Sequence, residues 1–459
     1  MVLPRSAQVS LDIYLPDERS PEGLNMILGE IHRIQHLGFY MRYERRGEAK
    51  QAMLTNLIKP APMMESCTMR ASTPFKLPDN LFGNHSPKLR MLRLSNFTIP
   101  AILPLMSRLT VFELDTKSSG GVSLSYLMTL LAGAPYLTTV TLLSACSLVD
   151  TTMVHAHLPH LQYLTIVDNI GTVTSIISCI VHPATIYLDV DANVSNQEDA
   201  VASQTLAQEL GTHIADVVGL RITCNSPYVY TTAEIHYEAD SQANKPQVKV
   251  SFSKTQDIVA FVETLCLHHL QVLTLQDGPS AWGVLNTNTP CLNVIRVRSV
   301  HCLQAFLKAL LDGVSKDEVR NVHRLHEGVI GSQIGELTNS NMLYHESQQK
   351  KYLAFMLESA SLAPGPLRFP SLKNVILEMW DDQRQETPVD PFMYDCAILA
   401  SILRLRSDRG LPLEKLRVEH YYSAGDEYLT IIRDVVKSIY WNGVAPDTTR
   451  TRTRNNKDN

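Results

Sequence analysis

The chain has 459 residues, 44% hydrophobic and 19% charged, a composition that builds buried cores and excludes a disordered chain. Its formal net charge of -5 is too mild for a nucleic-acid-binding protein or for one held on an acidic membrane surface. The eight cysteines are scattered without a Cys-x-x-Cys pair, which argues against a zinc ribbon or a disulfide-stapled module.

Along the chain one short pattern returns, Pro-x-Leu-x-x-Leu-x-Leu, with other apolar residues standing in for leucine. The opening MVLPRSAQVSLDIYLPDERS lacks the apolar core of a signal peptide. Weak copies at 32–41 (HRIQHLGFYM) and 62–71 (PMMESCTMRA) lead to a clear one, PKLRMLRLSN at 87–96, and then to SRLTVFELD at 107–115. Residues 118–149 carry no charge, but Gly120, Gly121, Gly133 and Pro135 divide them, so they read as a helix near 123–132, a turn and a buried strand, not as a membrane span. Further copies stand at 135–144 (PYLTTVTLLS), 159–168 (PHLQYLTIVD), 182–191 (HPATIYLDVD) and 215–224 (ADVVGLRITC), with a helix expected near 198–210.

The pattern then pauses. YVYTTAEIHYE (228–238) and QVKVSFS (247–253) both alternate apolar and polar residues around a polar turn, and together predict an inserted β-hairpin at about 228–253. Beyond it, TQDIVAFVETLC (255–266) and LQAFLKALLDG (303–313) gather apolar residues on one helical face, and HHLQVLTLQD (268–277) and PCLNVIRVRS (290–299) are strand copies. A polar insertion is expected at about 314–368, holding a helix at 346–359. PSLKNVILEM (370–379) and PLEKLRVEH (412–420) close the series, with helices near 393–406 and 426–436 and a disordered basic tail at 446–459.

The period identifies the architecture. Leu89, Leu109, Leu137 and Leu161 open copies 20, 28 and 24 residues apart, near the roughly 20–29 residues of a leucine-rich repeat. In Leu92-Arg93-Leu94 the leucines face a core and the arginine faces out, as a strand requires. One strand and one helix per copy cannot bury their apolar faces alone; stacking buries them. The expected fold is α/β: an irregular leucine-rich-repeat solenoid, a horseshoe spanning 1–445, with a parallel concave sheet and helices on the convex side. A doubly wound sheet would show longer, wholly apolar strands and a glycine-rich phosphate turn, and neither is present.

A search for chemistry yields little. There is no GxxxxGK[ST], HExxH, GxSxG or GxGxxG. The clusters His155/His157/His160, His268/His269 and His323/His326 would need convergent ligands at fitting spacing to hold a metal; His160 and His269 instead occupy the slot just before the first repeat leucine, where a solvated or hydrogen-bonded histidine is expected. No catalytic, cofactor or metal residue is expected, and the chain reads as a non-enzyme of cytoplasm or nucleus without nucleic-acid or membrane partners. The expected contacts for a protein partner are the strand residues between the core leucines, on the concave face. They are Arg93, Glu113 and Asp115, then Tyr163 and Tyr187 with Asp189 and Asp191, and finally Arg221, Arg296, Arg298 and Arg417. Mixed charge suits a protein ligand; nucleic acid would favour one positive stripe.

Several stretches resemble the F-box-type leucine-rich-repeat proteins of mushroom-forming (basidiomycete) fungi. RSAQVSLDIYL (5–15) resembles the segment after the F-box, LPDNLFGNHSPKLRMLRLSNFTIP (77–100) the first well-formed repeat, and RSDRGLPLEKLRVEH (406–420) with VVKSIYWNGV (435–444) the ending. The F-box itself is absent from this sequence. The resemblance implies a substrate-recognition subunit of a cullin-type ubiquitin ligase, with a Skp-type adaptor as partner only where an F-box is encoded upstream. The alternative is a stand-alone repeat scaffold.

Overall fold

The computed structural model describes residues 10–18, 21–41, 47–99, 104–117, 121–147, 154–183, 186–192, 200–213, 219–225, 230–236, 248–252, 255–265, 267–276, 289–298, 300–331, 350–351, 353–367, 369–378, 392–421 and 432–443. The chain divides into two units. The first is Met1–Ala215 with Lys245–Leu265, the second Asp216–Asn244 with Cys266–Asn459.

Among the described residues the main sheet of the first unit has nine strands, all parallel to their neighbours. In spatial order they are Leu11–Glu18, Ile34–Met41, Ser66–Lys76, Met91–Thr98, Val111–Asp115, Thr139–Leu143, Tyr163–Val167, Tyr187–Asp191 and Val248–Phe252. Chain order and spatial order coincide, as stacked repeats demand. The register aligns the repeat leucines: Leu92, Phe112, Val140, Leu164 and Leu188 share one row, and Leu94, Leu114, Leu142, Ile166 and Val190 the next. All ten are buried.

The proline of the pattern has a geometric role. The amide of each repeat's first leucine donates to the carbonyl three residues back: Leu89 to Ser86, Leu137 to Ala134, Leu161 to Leu158, Leu292 to Thr289 and Leu372 to Phe369. Pro87, Pro135, Pro159, Pro290 and Pro370 therefore occupy the second position of a tight turn, where a fixed φ near -65° is wanted. The third position points out: Lys88, Tyr136, His160, Cys291 and Ser371 are all exposed. The next carbonyl then anchors the following copy, since Thr110 and Val111 both donate to Arg90, Thr138 and Thr139 to Thr110, and Gln162 and Tyr163 to Thr138.

The charge-free stretch folds as its punctuation predicts. Ser123 caps Leu124–Ala132 by accepting from the Tyr126 amide at 3.3 Å, and Leu124, Leu127, Met128, Leu130 and Leu131 are buried. No helix among the described residues is long and apolar enough to cross a membrane. Helix Ile170–Cys179, absent from the expected elements, is capped by Asn169, whose Oδ1 accepts from the Thr172 amide at 3.0 Å.

The second unit repeats the plan. Val272–Gln276, Val294–Val297, Asn374–Glu378, Leu413–Tyr421 and Val436–Gly443 form a parallel series, and Gly219–Asn225 joins it beside Val272–Gln276. Leu273, Ile295, Val375 and Leu416 form a buried row, and helix Val300–Leu310 buries Leu303, Phe306, Leu307 and Leu310, the face its periodicity predicts.

Within the stretch predicted as a hairpin, Tyr230–His236 pairs antiparallel with Gly219–Asn225 in the second unit, and Val248–Phe252 runs parallel beside Tyr187–Asp191 in the first. The insertion predicted as polar loop opens with a 16-residue helix, Lys316–Gly331, which Ser315 and Glu318 cap and which buries Val319 and Val322. A helical segment does follow at 353–359, while 332–349 lie outside the described residues, as does the tail. Of the helix expected near 426–436, residues 426–431 lie outside the described residues; 432–435 are helical, and the chain then extends into Val436–Gly443, paired with Leu413–Tyr421.

Candidate binding face

The register that aligns the core rows also aligns the residues between them, on the opposite face of each sheet. In the first unit one row runs Thr68, Arg93, Glu113, Thr141, Thr165, Asp189 and Lys249. The row beside it ends Val111, Thr139, Tyr163 and Tyr187, and the row on its other side runs Ser95, Asp115, Leu143, Val167 and Asp191. Seven of the expected contact residues thus lie on three adjacent rows. Their neighbours engage many of them. Arg93 pairs with Glu113 at 3.3 Å and Lys249 with Asp189 at 3.4 Å. Asp115 accepts from the Ser95 hydroxyl at 3.0 Å and from the Lys117 amide at 3.2 Å. The Tyr163 and Tyr187 rings lie 6.0 Å apart at 55°, and Tyr163 is 45% exposed. On the adjoining turns Tyr136, 58% exposed, stacks on His160 with centroids 6.0 Å apart. Exposed, mutually braced aromatic rings offer apolar area at little entropic cost, which suits a recognition surface.

In the second unit Arg221, Thr274, Arg296, Ile376, Arg417 and Tyr440 share one row. Arg417 pairs with Glu419 and lies 5.3 Å above the Tyr440 ring centre. Arg298 donates Nε to Glu378 at 2.7 Å. Arg296, half-buried between these rows, has no acidic partner among the described residues, and its buried Nε has no hydrogen-bond acceptor. The side chain of Arg221 lies outside the described residues; its backbone holds the row position.

Sequence reasoning missed Lys249, because only strand register sets it opposite Asp189, 60 positions away. It also missed Tyr136 and Tyr440. The turn position of Tyr136 repeats in every clear copy, and that recurrence was the available signal.

No site for chemistry emerges from the described side chains. No group of three or more His, Cys, Asp or Glu residues among them could hold a metal ion. Cys67, buried without a charged neighbour to activate it, has its thiol pushed up to about 12, the reverse of a nucleophile's requirement. Burial likewise pushes Cys146 up to about 12, aided by the charges of Asp168 and Cys179.

No protein-family model matches the chain, and no curated protein matches it. Among solved structures, an internalin from Listeria monocytogenes aligns over 92% of this chain and 95% of its own, at 11% identity and a TM-score of 0.26. A superposition that loose does not carry the fold, which stands on this chain's own strand register.

Proposed function

We propose that this chain is a protein-binding leucine-rich-repeat scaffold whose contact surface is the sheet face opposite the buried leucines. The observation that supports the reading is the alignment of ten of the eleven expected contact residues, all but Arg298, into register rows on the two sheets, with the exposed Tyr163 and the unpaired Arg296 among them. Repeat arrays use such extended faces for recognition. The experiment is affinity capture with identification of the bound proteins by mass spectrometry. The combined substitution Tyr163→Ala and Arg296→Glu is expected to lose specific partners that Lys59→Glu and Lys308→Glu, exposed elsewhere, retain. Partners equally retained by both pairs would overturn the reading.

A more specific reading rests on the likeness of 77–100 and 406–420 to the F-box-type repeat proteins: the array selects substrates for a cullin-type ubiquitin ligase. Its test is co-purification of a Skp-type adaptor and a cullin with the full reading frame. Partners bound without adaptor or cullin favour the stand-alone scaffold.

A further inference from the structure

We propose that the sheet face of the second unit takes an acidic helical segment of its partner, anchored on Arg296. This rests on the reading of that face as a protein-binding surface and names the chemistry of what it binds.

Charge complementarity supplies the first argument. Arg296 and Lys415 face out from this sheet with no acidic partner among the described residues; Arg298 is held by Glu378, while Arg417, paired with Glu419, keeps its side chain 45% exposed and open to a second carboxylate. A guanidinium presents a planar fork of donors, and a carboxylate accepts two of them at once.

Spacing supplies the second. Arg221, Arg296 and Arg417 stand on every second strand of one row, with Thr274 and Ile376 between them. Neighbouring strands lie about 4.8 Å apart, so successive arginine positions repeat about every 9.6 Å. In an extended ligand, residues on one face repeat at about 6.8 and 13.6 Å, and neither matches. In an α-helix, positions i and i+7 share a face about 10.5 Å apart. A helix laid across the strands with Glu at i, i+7 and i+14 therefore brings one carboxylate to each arginine position.

The test uses the full chain and labelled alanine-rich helical peptides of about 22 residues, long enough to hold helix in water. One carries Glu at i, i+7 and i+14, one carries the same residues with Glu at i, i+5 and i+10, and one replaces Glu with Lys. By fluorescence anisotropy at low salt, the first is expected to bind at least fivefold tighter than the second, with no binding of the third. Arg296→Gln should weaken the first about tenfold, Arg296→Lys less, and Lys308→Gln not at all, each variant keeping the parent melting curve. Equal binding of the two acidic peptides overturns the helical geometry. Binding of the Lys peptide, indifference to Arg296→Gln, or displacement by a 20-nucleotide single strand overturns the anchor. Should specific partners still be lost in the face variants while the acidic peptides do not bind, this inference fails and the protein-binding reading stands.

Discussion

Arg409 and Glu318, 91 positions apart in the chain, form a two-bond ion pair in the second unit, Nε to Oε1 at 2.8 Å and Nη2 to Oε2 at 2.5 Å. Glu318 also accepts from the amide and the hydroxyl of Ser315, both at 2.7 Å, while the Ser315 hydroxyl takes the Glu318 amide at 3.3 Å. Arg409 spends its remaining nitrogen on the Gly365 carbonyl at 2.8 Å. One carboxylate thus caps helix Lys316–Gly331 and ties its start to residues just beyond helix Phe392–Asp408.

Glu318→Gln keeps the shape but loses the charge. It is expected to lower unfolding free energy by about 2 kcal/mol, the range for hydrogen bonds to a charged group, in urea denaturation at pH 7. Acid should do the same to the parent chain. Burial pushes the Glu318 carboxyl up, but hydrogen bonds from Arg409 and Ser315 and the charge of Arg409 outweigh it and bring the carboxyl down to about 2. A depressed pKa gives stability that is fully present above the unfolded value, near 4.5, and lost as pH falls towards 2. The stability gap between Glu318→Gln and the parent should therefore shrink across that window.

Asp168 in the first unit has the opposite sign. Burial pushes its carboxyl up, opposed by hydrogen bonds from the Asn169 amide and side chain and from the Cys146 amide. Its Oδ2 is buried without a hydrogen-bond partner. A raised pKa costs stability once the group ionises, so this contribution declines as pH climbs from the ordinary carboxylate range through the raised value. Asp168→Asn removes the buried charge. Relative to the parent it should gain stability at pH 7 and give up that gain at pH 4, measured by chemical denaturation at both. A pH-independent difference would show that the burial cost is not what governs this site.

Much of this was legible in the sequence and some was not, for identifiable reasons. Core leucines such as Leu92 and Leu164 announce themselves because a strand's period is fixed at two, and so do the outward positions Arg93 and Tyr163 between them. Helix Lys316–Gly331 also carries a signal in the sequence: Ser315 with Glu318 is a capping box, followed by Val319 and Val322 on one face. Polar composition over 314–368 masked it. Arg406 had no signal at all. It reads as a solvated residue at the end of a helix, yet it is fully buried, donates to the Phe369 carbonyl at 2.9 Å, and has its pKa lowered to about 10 by loss of solvent. The ion pairs of the face were equally hidden, because they join residues 20, 60 and 80 positions apart: Arg93 with Glu113, Asp189 with Lys249, Arg298 with Glu378. Only register brings such residues together.

Gly313 is a site where the backbone itself sets the residue. Its φ of +82° lies in the left-handed region, and a Cβ would stand 2.2 Å from the Pro366 carbonyl oxygen. Its own carbonyl accepts from the Gly365 amide at 2.9 Å, so the strand of chain at 365–366 cannot simply move aside. Gly313→Ala is expected to cost about 2 kcal/mol or more, from strain at φ above zero together with the clash. Gly410, also at positive φ (+77°) but with open space around it, isolates the first term: Gly410→Ala should cost less, and the difference between the two melting temperatures reads the clash.

Tyr163 and Leu164 are neighbours on one strand and separate binding from folding. Leu164 is 1% exposed in the core row, and Leu164→Ala is expected to cost about 2–5 kcal/mol by leaving a cavity. Tyr163 faces the other way, and Tyr163→Ala gives up its contact with the Tyr187 ring, worth about 0.2–1 kcal/mol. If the sheet face is the contact surface, Tyr163→Ala should cost more in partner affinity than in stability, since exposed aromatic rings concentrate binding energy. The comparison is a denaturation curve and a binding isotherm for each variant against a partner recovered by capture. Equal losses in both for Tyr163→Ala would assign that residue to folding and move the contact surface elsewhere.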